Sequence, residues 1–395
     1  MIRVVVLGAL RTPIGKFLGG LSSLSAPQLG VRVVKPLLAR IGVRADQIDE
    51  LIFGVGRQAG SGPNPARQVA IGAGLPVATT AYTVNMACGS GLLSIIHGAD
   101  AIRRGDAQVV VAGGAESMSR MPFYLEDART GYRLGHGQLV DGMYRDGFHC
   151  PLADQLMGAT AENLADEFHI SREEQDQYAL ESQLRCEAAR QRGAFRDEIE
   201  AVEIAGGKNL VRIDTDEHPR DGATLASLAK LKPVFRDNGT VHPGNSSGIT
   251  DGAAAVLLAS EDAARRLGVS PIGEIGHSAR AGVEPRRMGM GPVPALRKLL
   301  AANGRRLDDY PLVELNEAFA AQVIACDREL RLDRARLNVS GGAIALGHPI
   351  GATGARIVVT LLHEMRRRGV ERGLATLCIS GGMGLALEVS RAGRD

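Results

Sequence analysis

The chain has 395 residues, 45% of them apolar and 23% charged, which suits a globular protein long enough for two or three compact units. Its formal net charge of +2 offers no broad basic field for nucleic acid or for an anionic membrane surface. The five cysteines, Cys88, Cys150, Cys186, Cys326 and Cys378, contain no C-x-x-C pair and are odd in number. That pattern points to free thiols in a reducing cytoplasm and away from structural zinc or any other metal site.

The opening "MIRVVVLGALRTPIGKF" predicts a short β-branched strand and a turn; it is too soon charged for a secretion signal. Residues 81–118 form a readable unit. "AYTVNMA" predicts a strand, and "GSGLLSIIHGADAIRRG" sets Leu92, Ile95, Ile96, Ala99 and Ile102 on one helical face that ends near Gly105. "AQVVVAGGAES" then predicts a strand buried on both faces. Its missing partner is "DGAAAVLLAS" at 251–260, so roughly residues 119–248 are expected as an insertion between two adjacent strands. Inside it, "YLEDARTGYRLGHGQLVDGMYRDGFHC" reads as loop. The stretch from Met157 to Gly193 reads as helical, with Ser171 and Glu174 at capping-box spacing.

The C-terminal part replays the order of the first. "RLNVSGGAIALGHPIGATGAR" predicts strand, glycine-rich turn and helix start, "IVVTLLHEMRRRG" a helix, "LATLCISGG" a strand, and "MGLALEVS" its hairpin partner. Two copies of one βα unit are therefore expected, in an α/β architecture. Residues 1–118 with 249–270 would form the first half, 119–248 the inserted loop domain, and 271–395 the second half.

Three short stretches carry candidate chemistry. In "NMACGSGLL", Cys88 falls between a strand and the first turn of a helix, where free N–H groups and the positive helix end are expected to lower its pKa. A small residue chosen for close strand–helix packing is the competing reading. In "GGAIALGHPIGATGAR", His348 stands among glycines and could activate a thiol; a histidine satisfied by turn carbonyls is the alternative. In "LVELNEAFA", Asn316 ends a strand, either to hold a water or an oxyanion or to cap the next helix. Neither G-x-x-x-x-G-K-[ST] nor G-x-G-x-x-G occurs. Cys378, in "ATLCISGGMG", sits where a strand breaks into glycines; a small buried core residue is its plainer reading, chemistry at a strand end the other.

Taken together, "RTPIGKF", "NMACGSG", "GGAESMS", "NEAFAAQ", "GGAIALGHPIGATGAR" and "CISGGMG" resemble the thiolase family, in order and over essentially the whole chain. The resemblance implies a thiolase fold: duplicated βαβαβαββ halves packed as a layered α/β/α/β/α sandwich, with an inserted loop domain. It implies acyl transfer to CoA through an acyl-enzyme, with two acetyl-CoA condensed reversibly to acetoacetyl-CoA and CoA. Cleavage of longer 3-ketoacyl-CoA in β-oxidation is the alternative. Cys88 would be acylated, His348 would take its proton, and Cys378 would act as the second acid/base. Asn316 would hold a water that forms one oxyanion hole with His348, and the N–H groups of Cys88 and Ser380 would form another.

By the same resemblance, Arg220 would lie near the nucleotide phosphate of CoA, Ser227 near its adenosine and Ser247 on the pantetheine. Met157, Phe235, Met288, Ala318 and Phe319 would line the pantetheine and acyl tunnel. No tightly bound cofactor is implied, CoA and acetyl-CoA being substrates. The family's dimers and tetramers imply a homo-oligomer, with 119–145 as a contact. Two positions depart from the family pattern: Leu156 stands where short-chain members often carry histidine, and Ser380 where glycine is usual. A β-ketoacyl synthase is disfavoured because Cys378 fills the place of that class's second histidine or asparagine. A Cys-His hydrolase has no feature in its favour over a CoA-binding insertion. A non-catalytic lipid carrier is disfavoured because Cys88, Asn316, His348 and Cys378 are all present.

Overall fold

The computed structural model describes residues 2–206 and 209–393. Its centre is a mixed sheet whose first half contains β1 (Val4–Arg11), β2 (Glu50–Gly54), β3 (Thr80–Val84), β4 (Val109–Ser117) and β5 (Thr250–Ser260). The second half contains β6 (Gly273–Gly282), β7 (Leu312–Leu315), β8 (Arg372–Ile379) and β9 (Met383–Ser390). The strand order is β7-β8-β9-β6-β1-β5-β4-β2-β3, and the two-residue strand Gly15–Lys16 pairs with β5. The halves meet through a short β1–β6 pairing, Val5 opposite Glu274 and Val6 opposite Gly273.

Each half repeats one plan. A parallel pair (β2–β4, β7–β8) is followed by an antiparallel neighbour (β5, β9) and then by the half's first strand (β1, β6). β4 pairs along its whole length with β5, Val109 opposite Ala259 and Ser117 opposite Asp251, so residues 118–249 leave the sheet and return beside it. Both strands are buried throughout, as their unbroken apolar and small-residue runs require.

The helices form three layers around the sheet halves. α1 (Ala26–Ile41) and α2 (Pro65–Gly72) cover the outer face of the first half. α8 (Pro292–Asn303) and α9 (Ala320–Leu330) cover the outer face of the second. Between the halves lie α3 (Ser90–Arg104) and α11 (Ile350–Arg368), packed in one core with residues of both sheet halves. In α3 the face of Leu92, Ile95, Ile96, Ala99 and Ile102 is fully buried and Gly105 closes the helix in the left-handed conformation, as the sequence predicts. The two central helices touch backbone to backbone at their starts. A Cβ on Gly91 would lie 2.7 Å from the Gly351 oxygen, and one on Gly354 would lie 2.3 Å from the Leu92 nitrogen. Glycine is needed there because this contact brings the residues just before the two helices together.

The excursion carries α4 (Met157–Glu167), α5 (Arg172–Gln191) and the short α6 (Leu225–Ala229). α7 (Glu261–Leu267) follows β5. The expected capping box of α5 forms, Ser171 and Glu174 each accepting the other's backbone N–H. The excursion is pinned to β1 by a buried network: Arg11 Nε donates to Glu198 at 2.7 Å and Nη1 to Asp216 at 2.6 Å. Removing one member of such a network costs about 3–5 kcal/mol, because a buried charge is left without its partner.

One predicted element is corrected. "RLNVS" does not form a strand; a single bridge joins Leu337 to Val313. Asn338 adopts φ 45°, which breaks extended backbone, and its side chain does the work of a ladder instead. Its Oδ1 accepts from Leu315 N at 2.9 Å and its Nδ2 donates to Leu315 O at 2.8 Å. The loop then makes the one-turn α10 (Ala343–Leu346) before His348.

Candidate active site

Cys88 lies in one 3-10 turn, Ala87–Gly89, between β3 and α3. Ala87 holds φ 45°, a strained conformation for a residue with a side chain, and the turn is clamped around it. Asn85 accepts from Ala87 N at 2.9 Å, and Ser90 Oγ donates to Ala87 O at 2.7 Å while accepting from Met86 N at 2.9 Å. The expected lowering of the thiol pKa by the helix start is not met. Burial pushes the Cys88 thiol up, and the Arg57 charge and the N–H groups of Ser380 and Cys88 pull it back only in part. α3 itself begins at Ser90, so Cys88 sits in a separate turn before its first N–H groups.

His348 occupies the corresponding place before α11, its N–H donating to Gly248 O at 3.1 Å. Its Nδ1 lies 2.6 Å from Thr353 Oγ1, and that hydroxyl donates to Pro349 O at 3.1 Å. The hydroxyl therefore accepts from Nδ1–H, which leaves Nε2 as the basic nitrogen, a tautomer assigned from the hydrogen bonds. Nε2 is buried without a partner among the described residues, so turn carbonyls do not satisfy this ring. Burial first, and then the charges of Arg57 and Arg356, push its pKa down to about 3, so the ring is neutral near pH 7.

Cys378 is buried near the end of β8, opposite Gly384 of β9. Burial, followed by the neighbouring Cys88 and Cys326, pushes its thiol well above the ordinary range. The hairpin that follows takes left-handed φ at Gly381 (85°) and Gly382 (87°), whereas Ser380 keeps negative φ and is not strained by its side chain. The Ser380 N–H acts to lower the Cys88 thiol pKa. Asn316 follows β7 with 1% of its surface exposed, and neither Nδ2 nor Oδ1 has a partner among the described residues. It caps nothing, because α9 starts only after Phe319. A buried amide with both atoms unsatisfied is rare and marks a group kept for something other than packing.

Cys88, His348, Cys378 and Ser380 line one cavity of about 550 Å³. Met157, Leu156, Phe235, Met288, Ala318 and Phe319 form its apolar wall, with the Phe235 and Phe319 rings edge to face at 6.2 Å. Ser247 lines it too, and Arg220 lines it as an exposed residue. Ser227 is set apart: it is exposed, and its hydroxyl closes the capping box of α6 by accepting from Thr224 N at 3.1 Å while donating to Thr224 O at 2.7 Å. Asn316 lies buried at the strand end beyond the cavity's lining residues.

Sequence reasoning missed two buried carboxylates that hold the site. Glu116, at the end of β4, accepts from Gly56 N, Arg57 N and Gly351 N at 3.1, 3.2 and 2.8 Å, tying the start of α11 to the first half. Burial pushes its pKa up to about 7, against the Arg57 charge and those N–H groups. Glu317 accepts from Tyr178, Ser182, Asn338 and Ile344 N, and so fixes the loop before His348 to α5 and β7. An acid inside an apolar run, as in "VVVAGGAES" and "LVELNEAFA", is the signal that could have found both.

The model of the thiolase N-terminal domain matches residues 4–262, and that of the thiolase C-terminal domain matches residues 269–391. The chain belongs to the thiolase family. It is 53% identical to an acetyl-CoA acetyltransferase of Pseudomonas aeruginosa, over 98% of this chain and 99% of that one. The crystal structure of the Bacillus anthracis acetyl-CoA acetyltransferase superposes with a TM-score of 0.97 at 44% identity, covering 99% of each chain. That of human mitochondrial 3-ketoacyl-CoA thiolase gives 0.96 at 41% identity, again over 99% of each. The thiolase fold read from the motifs is thus the fold observed. No helix among the described residues is long and apolar enough to cross a membrane.

Proposed function

We propose that this thiolase is an acetyl-CoA acetyltransferase that interconverts two acetyl-CoA with acetoacetyl-CoA and CoA. The observation that carries the reading is one cavity that joins two thiols to a neutral imidazole with an unpartnered nitrogen. Cys88 gives its proton to His348 Nε2 and attacks the thioester carbonyl; the carbonyl–sulfur bond to CoA breaks, the departing CoA thiolate takes the proton of Cys378, and an acetyl-enzyme forms with Cys378 left as a thiolate. Because burial holds the thiol up, the proton transfer accompanies the attack instead of preceding it. The Cys88 and Ser380 N–H groups stabilise the tetrahedral oxyanion.

In the second half-reaction Cys378 takes the α-proton of a new acetyl-CoA. His348 Nε2–H, with a water held on the Asn316 amide, stabilises the enolate oxygen. The enolate carbon attacks the acetyl group on Cys88, the carbonyl–sulfur bond breaks, and the released sulfur takes its proton back from His348 Nε2. In cleavage the same steps run backwards, with Cys378 protonating the departing enolate.

The coenzyme would enter past Arg220 and Ser247 and lay its pantetheine along Met157, Phe235, Met288, Ala318 and Phe319. The place of Ser227 by the adenosine has weaker support, since its hydroxyl is spent on α6. The exposed Phe123, Leu125, Leu134 and Leu139 support 119–145 as the contact of a homo-oligomer, and five free cysteines support a reducing cytoplasm as its location. Thiolysis rates across 3-ketoacyl-CoA chain lengths test the substrate. The reading expects the four-carbon thioester to be cleaved most efficiently; an optimum at long chains would move the enzyme to β-oxidation.

A further inference from the structure

Asp176 is a buried carboxylate on α5 that the mechanism does not use. Its oxygens are shared between its own helix and one loop, residues 242–248. Oδ2 accepts from Arg172 Nε, one turn earlier, at 2.8 Å. Oδ1 accepts from His242 Nε2 at 2.6 Å and from Asn245 Nδ2 at 3.1 Å. His242 is fully buried, and its Nδ1 accepts from Gly244 N at 3.0 Å, so Nε2 carries the proton that Asp176 holds. Asn245 Oδ1 accepts from His242 N at 2.8 Å, and Ser246 Oγ donates to His242 O at 2.9 Å, which closes the loop on itself. A carboxylate out of water is costly unless such partners compensate it, and a loop that slipped would leave it uncompensated.

The other side of this loop faces the reaction. Ser246, Ser247 and Gly248 line the cavity. The loop backbone is also joined to both segments that carry the proposed oxyanion groups. Ser247 N donates to Ala318 O at 3.0 Å, two residues after Asn316, and Gly248 O accepts from His348 N at 3.1 Å. At the start of α9, Ala320 N donates to Asn245 O at 2.9 Å. Towards the outside, Arg220 Nη2 donates to Pro243 O at 3.3 Å, so the loop braces that cation as well. Asp176 and His242 lie outside the cavity's lining, yet they fix where the loop stands between the coenzyme's path and the reacting groups. A misplacement of about 1 Å between a bound substrate and its catalytic groups can cost on the order of 100-fold in rate.

We propose that Asp176, acting through His242, is a positioning residue that registers the pantetheine arm of the coenzyme against His348. This rests on the thiolase reading above, with Ser247 on the pantetheine, and adds the anchor that sets its register. A reagent that reaches Cys88 without a pantetheine arm needs no such register.

The test sets two modifications of Cys88, the one cysteine that is not buried, side by side: acetylation by acetyl-CoA and alkylation by iodoacetamide. In Asp176→Asn, which keeps the shape of the side chain, acetylation should slow about 10- to 100-fold. Alkylation should stay within about two-fold, because His348 keeps its own bond to Thr353. His242→Phe should show the same split, and His242→Gln, whose amide can still donate to Asp176, should recover part of the acetylation rate. Equal slowing of both reactions would make the anchor a support of the thiol itself and overturn the proposal. An unchanged acetylation rate would overturn it too, as would failure of both Asp176→Asn and His242→Phe to fold. A native enzyme that iodoacetamide alkylates at Cys88 but acetyl-CoA does not acetylate would instead sink the thiolase reading.

Discussion

In the first half of the sheet, the parallel strands β2 and β4 run into Arg57 and end with Glu116; in the second half, β7 and β8 run into Asn316 and Cys378. The turns before the two central helices carry Cys88 in one half and His348 in the other. One backbone plan, used twice, thus presents the proposed nucleophile with charged neighbours from one side and the proposed proton carriers with an amide from the other. On the proposed mechanism neither half runs the chemistry alone, because the base for Cys88 and the electrophile for Cys378 each come from the other half. The contact of Gly91 with Gly351 and the tether from Glu116 to Gly351 N are what make one site of the two.

The comparison breaks hardest at His348. His348→Gln should lower the acylation rate of Cys88 about 10²- to 10⁴-fold, the usual contribution of a positioned general base. The same variant has a stability signature. The pKa of His348 is pushed from the ordinary 6.5 to about 3, so the unfolded chain takes up a proton before the folded one does. Its contribution is full above pH 6.5 and lost as pH falls toward 3. The decline of Tm across that window should be shallower in His348→Gln than in the native protein; equal slopes would show that the ring is not held neutral.

Asn316→Ala should come next. It removes an unsatisfied buried amide, so kcat should fall about 100-fold while thermal stability changes little or rises. A large loss of Tm with unchanged kcat would make the amide structural. The smallest effect belongs to Ser380→Gly. Since Ser380 has negative φ, the substitution relieves no strain; it should leave acylation within about two-fold and lower stability by at most about 1 kcal/mol through added chain entropy. A clear gain in stability would show that serine crowds the turn.

Much of this was legible in residues. The buried face of α3, the Ser171–Glu174 cap and the β4–β5 pairing follow from periodicity, cap chemistry and unbroken apolar runs, which are local signals. The thiol of Cys88 was misread because a helix start was judged without its surroundings. Burial by distant strands outweighs the nearby N–H groups. The strand expected at Leu337 failed for a similar reason: the amide of Asn338 replaces a ladder across 23 residues of sequence, which no local pattern reveals. The use of Glu317 shows only once the fold sets it against Tyr178, Ser182 and Asn338.

The division of labour between the two thiols is tested most directly by brief incubation with acetyl-CoA followed by mass spectrometry, in the native enzyme and in Cys378→Ala. Both proteins should carry acetyl on Cys88 alone, with formation of acetoacetyl-CoA suppressed only in the variant. Acetyl on another cysteine, or equal loss of acylation and carbon–carbon bond formation in Cys378→Ala, would contradict it.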